Sequence, residues 1–338
     1  MNLYYNQTDG RWSTADAWWV SGNALQDVLD YMYKTGSAEY MDKAAHTIEI
    51  QRAPLNWWPQ GGGDFRADST DDTGWWALAL LRMYDITQDA SYLNISMEDE
   101  AYMYSYWNQT PCGGGIIWDI RTLSYKNAIS NELYISLAAA LHNRIPGDTE
   151  YLAKAETAWG WFKNSGMINS QNLINDGLSQ TTDANNGDAA VCVNNGQPTW
   201  TYNQGVILGG LTELYRATNN ESYIQEARLI ADAVINSPTL SPDGILTDPC
   251  EVAAGGGGCD GDAQMFKGIF ARNLAGMYSV LGQGDQVQYR QYLEQNAQTA
   301  YAEDRNATDF YDVSWGGPFA GSSIAKQASA VSLLVALI

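Results

Sequence analysis

Histidine and basic residues are scarce in this chain of 338 residues. It contains 2 His and 18 Lys and Arg against 39 Asp and Glu, so its formal net charge is -21 at pH 7. Such an acidic surface repels polyanions, which excludes nucleic acid as an expected partner. With two His and no Cys-x-x-Cys pair, the sequence also gives no reason to expect a structural zinc site. We expect no metal at all.

Long apolar stretches are also missing. No segment approaches the roughly 20 consecutive apolar residues of a membrane-spanning helix, so no membrane span is expected. Phenylalanine is rare, with 6 residues against 13 Trp and 21 Tyr. Trp and Tyr combine a flat apolar face with a polar edge, which suits stacking on sugar rings, although core packing explains most aromatic residues in any protein.

Cysteine is limited to four residues, and their even number in an acidic chain favours two disulfides. Cys250 and Cys259 flank a glycine-rich run and are natural partners, which leaves Cys112 to pair with Cys192. The alternative is four reduced thiols in a cytosolic protein.

Glycosylation sequons favour the disulfide interpretation and an exported protein. We therefore expect a glycoprotein that is secreted or bound in a cell wall, although the chain opens without a signal-peptide pattern. Five sequons occur, beginning at Asn6, Asn94, Asn108, Asn220 and Asn306.

A short repeated motif indicates the architecture. In most copies Ser, Asp or Asn stands at a position typical of a helix N-cap, and an aromatic residue follows in the first turns. Each copy lies between an upstream helix that is apolar on most sides and a downstream amphipathic helix, so we expect buried inner helices and an outer layer. The copies are marked by Tyr40, Tyr92, Tyr151, Tyr223 and, more weakly, Tyr289.

Six inner helices and five outer helices predict an all-α fold, an (α/α)6 toroid, as one catalytic domain over residues 1–338. The inner helices are predicted to begin near residues 14, 72, 126, 200, 263 and 323. We expect the natural protein to continue on at least one side and supply a twelfth helix. Connections rich in Gly, Asn, Asp and Trp precede the inner helices and should cluster on one rim, namely 56–73, 112–119, 180–197, 243–262 and 312–322.

The richest of these connections contains adjacent carboxylates, Asp71 and Asp72, at the start of the second inner helix. Cleavage of a glycosidic bond needs one carboxyl group that donates a proton and another that attacks the sugar or activates water. Crowded carboxyls in a partly dry cavity separate their pKa values, which gives one of each kind. The alternative is that these residues, with Ser69 and Thr70, only cap the helix.

Several segments together resemble glycoside hydrolase family 76, the endo-α-1,6-mannanases, in particular its filamentous-fungal branch. The resemblance extends from about residue 10 to residue 325. Its segments include the Asp71-Asp72-Thr-Gly-Trp75-Trp76 run, and they occupy residues 18–23, 71–79, 112–118, 125–131, 201–205 and 266–270.

This resemblance implies an (α/α)6 fold and retaining hydrolysis of α-1,6-mannosidic bonds. It implies that Asp71 is the nucleophile and Asp72 the general acid/base, and that no cofactor is needed. Three tryptophans are candidates for stacking on mannose, or alternatively for core packing, and four amides could bind hydroxyl groups or instead satisfy buried backbone. These candidates are Trp75, Trp76 and Trp118, and Asn127, Asn131, Asn203 and Gln204.

The expected protein is therefore a secreted, monomeric, fungal-type endo-α-1,6-mannanase that acts on the mannan of fungal or yeast cell walls. One alternative is a wall transglycosidase of the same family, which would transfer mannan-bearing anchor glycans to a sugar acceptor. A second alternative is a non-catalytic mannan-binding wall protein, which would keep aromatic residues on the rim but would not need the carboxylate pair.

Overall fold

The computed structural model describes residues 1–12, 16–60, 62–183, 189–252 and 258–338. Two antiparallel strands, β1 (Leu178–Asp183) and β2 (Ala189–Asn194), form a small hairpin. The remaining regular structure is mainly helical. In these residues the α-helices are α1 (Trp18–Thr35), α2 (Met41–Gln51), α3 (Thr70–Thr87), α4 (Ala90–Tyr104), α5 (Ala128–Arg144), α6 (Glu150–Asn164), α7 (Thr201–Thr218), α8 (Glu221–Ile235), α9 (Phe266–Tyr278), α10 (Gln283–Thr299) and α11 (Ile324–Ala336).

The odd-numbered helices form a closed inner ring. Each of them contacts the next odd-numbered helix, and α11 returns to contact α1. The even-numbered helices pack outside, each against the inner helix that precedes it in the chain. This arrangement confirms the predicted (α/α)6 toroid, with six inner and five outer helices in the described part of the chain.

The hairpin turns between inner and outer helices follow from local residue chemistry. Gln88 and Asn219 end α3 and α7 in the left-handed conformation, and Gly36 does so for α1. Asp89 and Asn220 then cap the following outer helices, because their side chains accept hydrogen bonds from backbone N–H groups two residues on. The repeated motif therefore marks the starts of outer helices, as predicted.

The inner ring is tightly packed. In α5 every residue from Ala128 to Leu141 is buried, which explains why this helix is apolar on most sides. Glycine allows neighbouring backbones to touch, since a Cβ atom at Gly205 of α7 would lie 2.5 Å from the Phe270 Cα of α9. No helix in the described residues is long and apolar enough to cross a membrane.

The hairpin of β1 and β2 was not predicted from the sequence, which suggested an irregular connection at 180–197. Its strands have only six residues each, and most of their side chains that the structure describes are partly or fully exposed, so alternation of apolar and polar residues is weak. Disulfides join Cys112 to Cys192 and Cys250 to Cys259, which confirms the predicted pairing. The first of these ties β2 to the 112–119 connection.

The six inner helices run in the same direction. At one end of the ring lie the N-termini, where Ser323 at the cap of α11 donates a hydrogen bond to Gln264 just before α9. At the opposite end a cavity of about 670 Å³ is lined by residues from the C-terminal halves of these helices. Ion pairs cross this second cavity, with Arg82 bound to Asp30 and Asp85 and with Arg144 bound to Asp85.

Candidate active site

A cleft of about 230 Å³ opens at the N-terminal end of the inner ring. Helices α1, α3, α7 and α9 contribute residues of their first two turns, α5 contributes its N-cap, and connections before α5, α7 and α9 complete the wall. We refer to this cavity as the cleft. It is lined by Trp19, Asp71, Trp75, Trp118, Tyr125, Asn127, Asp176, Tyr202, Asp262 and Phe266.

Asp71 is the second residue of α3 and is partly exposed to the cleft. Both of its carboxylate oxygens accept hydrogen bonds from the Trp118 indole N–H, at 3.0 and 3.1 Å. Its Oδ1 also accepts the backbone N–H of Asp72 at 3.1 Å. Burial raises the pKa of Asp71 to about 7, although these hydrogen bonds favour the ionised form.

Asp72 follows at the third helical position and is also partly exposed. Burial raises its pKa well above the ordinary value, and the negative charges of Asp71, Asp262 and Asp68 raise the pKa further. The two neighbouring carboxyls therefore have different surroundings. Asp71 has a fixed donor, whereas Asp72 faces mainly other acids.

Backbone pairing fixes the Trp118 indole beside Asp71. The backbone N–H of Thr70 donates to the Trp118 carbonyl at 2.9 Å, and the Thr70 hydroxyl donates to the Ile117 carbonyl at 2.9 Å. Ser69 and Asp119 form an adjacent antiparallel bridge. The connection that carries Trp118 is thus bound to the start of α3, which explains why an indole from residue 118 reaches a carboxylate at residue 71.

Two further acids near the pair differ in their partners. Arg121 contacts Asp68 at 2.9 Å and binds both oxygens of Asp119 at 3.1 and 3.0 Å. Asp262 instead accepts a hydrogen bond from the Trp19 indole at 2.8 Å, and burial raises its pKa. Within the described ranges no Lys or Arg forms an ion pair with an acid that lines the cleft.

A second carboxylate network lies on the other side of Trp118. The Tyr125 hydroxyl donates a short hydrogen bond to Asp176, and Asn195 donates to the same hydroxyl at 3.0 Å. The Tyr125 ring stands edge-on to Trp118, at 6.1 Å between centroids. Gly177 is required here, because a Cβ atom at this position would lie 2.5 Å from the Tyr125 hydroxyl. The network holds Asp176 and Tyr125 in the cleft wall.

Aromatic pairs form two apolar walls. Trp19 stacks on Trp75 with centroids 5.6 Å apart, and Tyr202 stacks on Phe266 at 3.8 Å. Flat aromatic faces beside carboxylates and an amide are the combination that binds a sugar ring, whose faces are apolar and whose hydroxyls are donors and acceptors. No group of three or more His, Cys, Asp or Glu in the described residues could hold a metal ion.

The structure brings four of the residues predicted for catalysis or binding to the cleft wall, and these are Asp71, Trp75, Trp118 and Asn127. Asp72 lies beside Asp71 as the next residue of the helix. Of the two tryptophans, Trp118 is partly exposed, whereas Trp75 is only 4% exposed.

Trp76 does not line the cleft. It is fully buried and stacks with Trp18 at 4.9 Å and Phe65 at 5.0 Å, because the adjacent position on a helix points about 100° away from Trp75. Trp76 therefore has the core role that the sequence left as its alternative.

The buried amides mostly bind backbone. Asn131 accepts the Ile116 N–H at 2.7 Å, and Gln204 accepts the Ile174 N–H at 2.8 Å and donates to its carbonyl. Asn203 is fully buried, and neither of its amide atoms has a hydrogen-bond partner in the described part of the chain. None of these three residues lines the cleft.

Six residues of the cleft were not selected from the sequence. Five of them precede an inner helix closely or lie in its first turn, so their positions would have been a usable signal once the ring was predicted. Asp176 carried no such signal, because only the folded connections place it beside Tyr125 and Trp118. The six are Trp19, Tyr125, Asp176, Tyr202, Asp262 and Phe266.

Two relatives with similar sequences come from fungi. A mannan endo-1,6-alpha-mannosidase (DFG5) from Saccharomyces cerevisiae is 26% identical over 319 residues, which cover 90% of this chain and 66% of that protein. A mannan endo-1,6-alpha-mannosidase (DCW1) from Eremothecium gossypii is 27% identical over 285 residues, which cover 80% of this chain and 60% of that protein. The chain thus spans about 60 to 66% of the length of these relatives.

Solved structures share the fold. The GH76A alpha-1,6-mannanase of Salegentibacter sp. HEL1_6 has a TM-score of 0.85 and 24% identity, with 99% of this chain and 95% of that chain covered. An inactive variant of that enzyme, with two consecutive aspartates changed to alanine, was solved in complex with alpha-1,6-mannotetrose; its TM-score is 0.85 at 23% identity, over 99% of this chain and 94% of that chain.

The family assignment depends on a match over the full length. The sequence model of the family described as Glycosyl hydrolase family 76 matches residues 1–338. The match includes every element of the toroid and every residue of the cleft. The chain therefore belongs to glycosyl hydrolase family 76.

Proposed function

We propose that this chain is a retaining, endo-acting hydrolase of α-1,6-mannosidic bonds, with Asp71 as nucleophile and Asp72 as general acid/base. The observation that carries the proposal is a pair of adjacent carboxyls with unequal surroundings at the end of the ring where the inner helices begin. Asp71 attacks the anomeric carbon while Asp72 donates its proton to the leaving oxygen. In the second step Asp72 takes a proton from water, and the water oxygen attacks the anomeric carbon, which breaks its bond to Asp71 and releases the sugar.

The hydrogen bonds and charges support this order of roles. The Trp118 N–H stabilises a carboxylate on Asp71, which a nucleophile must be. The negative charges of Asp71 and Asp262 instead favour the protonated form of Asp72, as a general acid requires. The surroundings of the pair therefore favour an ionised Asp71 beside a protonated Asp72.

Relatives support the choice of substrate. The two fungal relatives are named as mannan endo-1,6-alpha-mannosidases, and the bacterial variant that binds alpha-1,6-mannotetrose lost its activity when two consecutive aspartates were replaced. Asp71 and Asp72 are the only two consecutive aspartates in this sequence. A cleft that is rich in carboxylates favours a neutral glycan over an anionic one.

The cleft wall suggests how a mannose unit is held. We propose that Trp75 and Trp118 stack on the sugar and that Asn127 binds its hydroxyl groups. Asp176, fixed by Tyr125, is a further acceptor for hydroxyl groups.

We also propose that the chain forms one catalytic domain and acts as a secreted or wall-bound monomeric glycoprotein. The closed inner ring spans α1 to α11, which supports one domain. Two disulfides support an oxidising compartment. The sequon residues Asn94 and Asn220 are exposed, so a glycan could be attached there without disturbing the core.

The experiment is product analysis of linear α-1,6-mannan after incubation with wild type, Asp71→Asn and Asp72→Asn. We expect short oligomannosides from wild type and a loss of at least about 1,000-fold in either variant, since each removes an essential step. Asp260→Asn, an exposed acid in the connection before α9, is the control and should keep its activity.

Four outcomes would contradict this proposal. Folded wild type that releases no product, or variants as active as wild type, would refute the hydrolase assignment. Product that forms only when a sugar acceptor is added would instead identify the transglycosidase. Binding of mannan without cleavage would identify a wall-binding protein.

A further inference from the structure

Trp57 differs from the other tryptophans of the chain. All 13 lie in described residues, and 12 of them are buried or partly buried, whereas the Trp57 side chain is 49% exposed. An exposed indole offers a flat apolar face and an N–H donor to a ligand, whereas a buried indole is committed to the core. Trp57 is therefore the tryptophan whose ring is most open to a ligand.

Trp57 lies at the same end of the toroid as the cleft. Its ring stands edge-on to Trp18, with centroids 6.2 Å apart and planes at 75°. Trp18 is the first residue of α1, and the next residue, Trp19, lines the cleft. The first turn of α1 thus contacts the cleft through Trp19 and contacts Trp57 through Trp18.

A groove of about 430 Å³ runs beside Trp57. Its lining includes the Thr8 hydroxyl, the Asn56 amide and the Arg11 guanidinium, and Trp57 is the only one of its residues that is a large exposed hydrophobic side chain. The Arg11 Nη2 donates to the Asp16 carbonyl at 2.9 Å, which fixes the guanidinium beside the groove, whereas Thr8 and Asn56 are exposed. A flat apolar ring next to an exposed hydroxyl and an exposed amide suits a sugar better than an apolar protein surface.

The segment that carries Trp57 is held in place. The backbone N–H of Trp58 donates to the Leu55 carbonyl at 3.1 Å, and these two residues form an antiparallel bridge. Arg52 pairs with Asp64 at 2.6 Å, which joins the two sides of the connection. A ring that is fixed before binding loses little conformational entropy when a ligand stacks on it.

We propose that the groove beside Trp57 is a second glycan-binding site, which holds a part of the mannan chain that extends beyond the cleft. One sugar ring stacks on the Trp57 indole, while Asn56 and Thr8 bind its hydroxyl groups. The occupant is the same neutral α-1,6-linked chain that the cleft cleaves, so this inference rests on the proposed function. A long chain would occupy both sites, whereas a short one would occupy only the cleft.

The test measures binding in a protein that cannot cleave its ligand. In the Asp71→Asn/Asp72→Asn background, affinity for long linear α-1,6-mannan and for α-1,6-mannotriose is measured by calorimetry, with and without Trp57→Ala. We expect Trp57→Ala to weaken binding of the long mannan about three- to tenfold, the range that aromatic contacts give. Binding of mannotriose should change by less than about twofold, and Trp57→Phe should restore most of the affinity for the long chain.

Tyr33→Ala is the matched control. Tyr33 is a 54% exposed aromatic near the C-terminus of α1, the same helix that begins at Trp18. It lies at the opposite end of the ring, so its loss should not affect binding of either ligand. Asn56→Ala removes an exposed amide without loss of core packing and should weaken binding of the long chain about two- to tenfold even if Trp57→Ala fails to fold.

The outcomes separate this inference from the proposed function. If wild type cleaves short oligomannosides but folded Trp57→Ala and Asn56→Ala bind long mannan as tightly as the background protein, the second site is refuted and the proposed function stands. If wild type cleaves nothing and the background protein binds neither ligand, the proposed function is refuted, and the second site with it.

Discussion

At the scale of single residues, the chemistry depends on differences between carboxyls that lie close together. Asp71 and Asp72 are covalent neighbours, yet an indole N–H contacts only the first. Asp262 and Asp68 both act on Asp72, but Arg121 pairs with Asp68, whereas Asp262 is bound by the neutral indole of Trp19. Local partners, rather than the number of acids, therefore decide which group holds a proton.

Asp262→Asn should shift the alkaline limb of the pH–activity profile to lower pH. The charge of Asp262 raises the pKa of Asp72, so its removal lowers that pKa and Asp72 loses its proton at a lower pH. We expect a shift of about 0.5 to 1 pH unit in kcat/KM, while the Trp19 contact is kept by the amide oxygen.

The control for this change is Asp68→Asn, because the charge of Asp68 acts on Asp72 more weakly than that of Asp262. Its alkaline limb should move less. If Asp262→Asn lowers activity equally at every pH, Asp262 binds substrate or supports the fold and does not tune Asp72.

At the scale of helices, the ring depends on close contacts between inner helices. Gly205→Ala should destabilise the protein by about 1–3 kcal/mol, because its Cβ atom would lie 2.5 Å from the backbone of Phe270 and backbone cannot move aside cheaply. The free energy of unfolding is measured by urea denaturation.

Gly276→Ala is the matched substitution. It lies in inner helix α9, and a Cβ atom there has no neighbour within 4 Å, so alanine should raise stability by up to about 1 kcal/mol. Equal effects of the two substitutions would show that helix propensity, rather than contact between helices, governs these positions.

The sequence predicted helices better than it predicted the cleft. Capped starts such as Asp89 and Asn220 depend on neighbouring residues, so the repeat fixed the helical hairpins. Asp176 lies beside Tyr125, although the two residues are 51 positions apart in the sequence. No local sequence pattern predicts a contact between residues so far apart. Trp75 and Trp76 could not be told apart, because the direction of each side chain depends on where the helix begins.

At the scale of the whole molecule, buried acids set how stability depends on pH. Asp99 is fully buried in α4, and neither carboxylate oxygen has a hydrogen-bond partner in the described residues; burial raises its pKa well above the ordinary value. At pH values between the unfolded and the folded pKa, the folded state therefore keeps this proton, whereas the unfolded state has lost it. Stability from this group is present below about pH 4 and falls as pH rises from there through the folded pKa.

Asp99→Asn should therefore stabilise the protein at pH 7 by about 1–2 kcal/mol, because the amide carries no charge to bury, and the gain should vanish near pH 4. Unfolding by urea at both pH values measures the difference. Asp148→Asn is the contrast, since hydrogen bonds, chiefly from His142, outweigh burial and lower the pKa of Asp148, so this variant should lose stability at pH 7. A gain for Asp99→Asn that is equal at both pH values would indicate better packing instead.

The common direction of the six inner helices gives the molecule an electric axis. Each helix carries a partial charge of roughly +0.5 at its N-terminus and -0.5 at its C-terminus, and here the six add up along the ring. Asp71, Asp72 and Asp262 lie at the positive end, which helps to explain how these acids can crowd there without a paired cation in the described residues. Arginines such as Arg82 and Arg144 lie at the negative end. The backbone itself thus acts as the counter-ion of the carboxylates that would cleave the glycan.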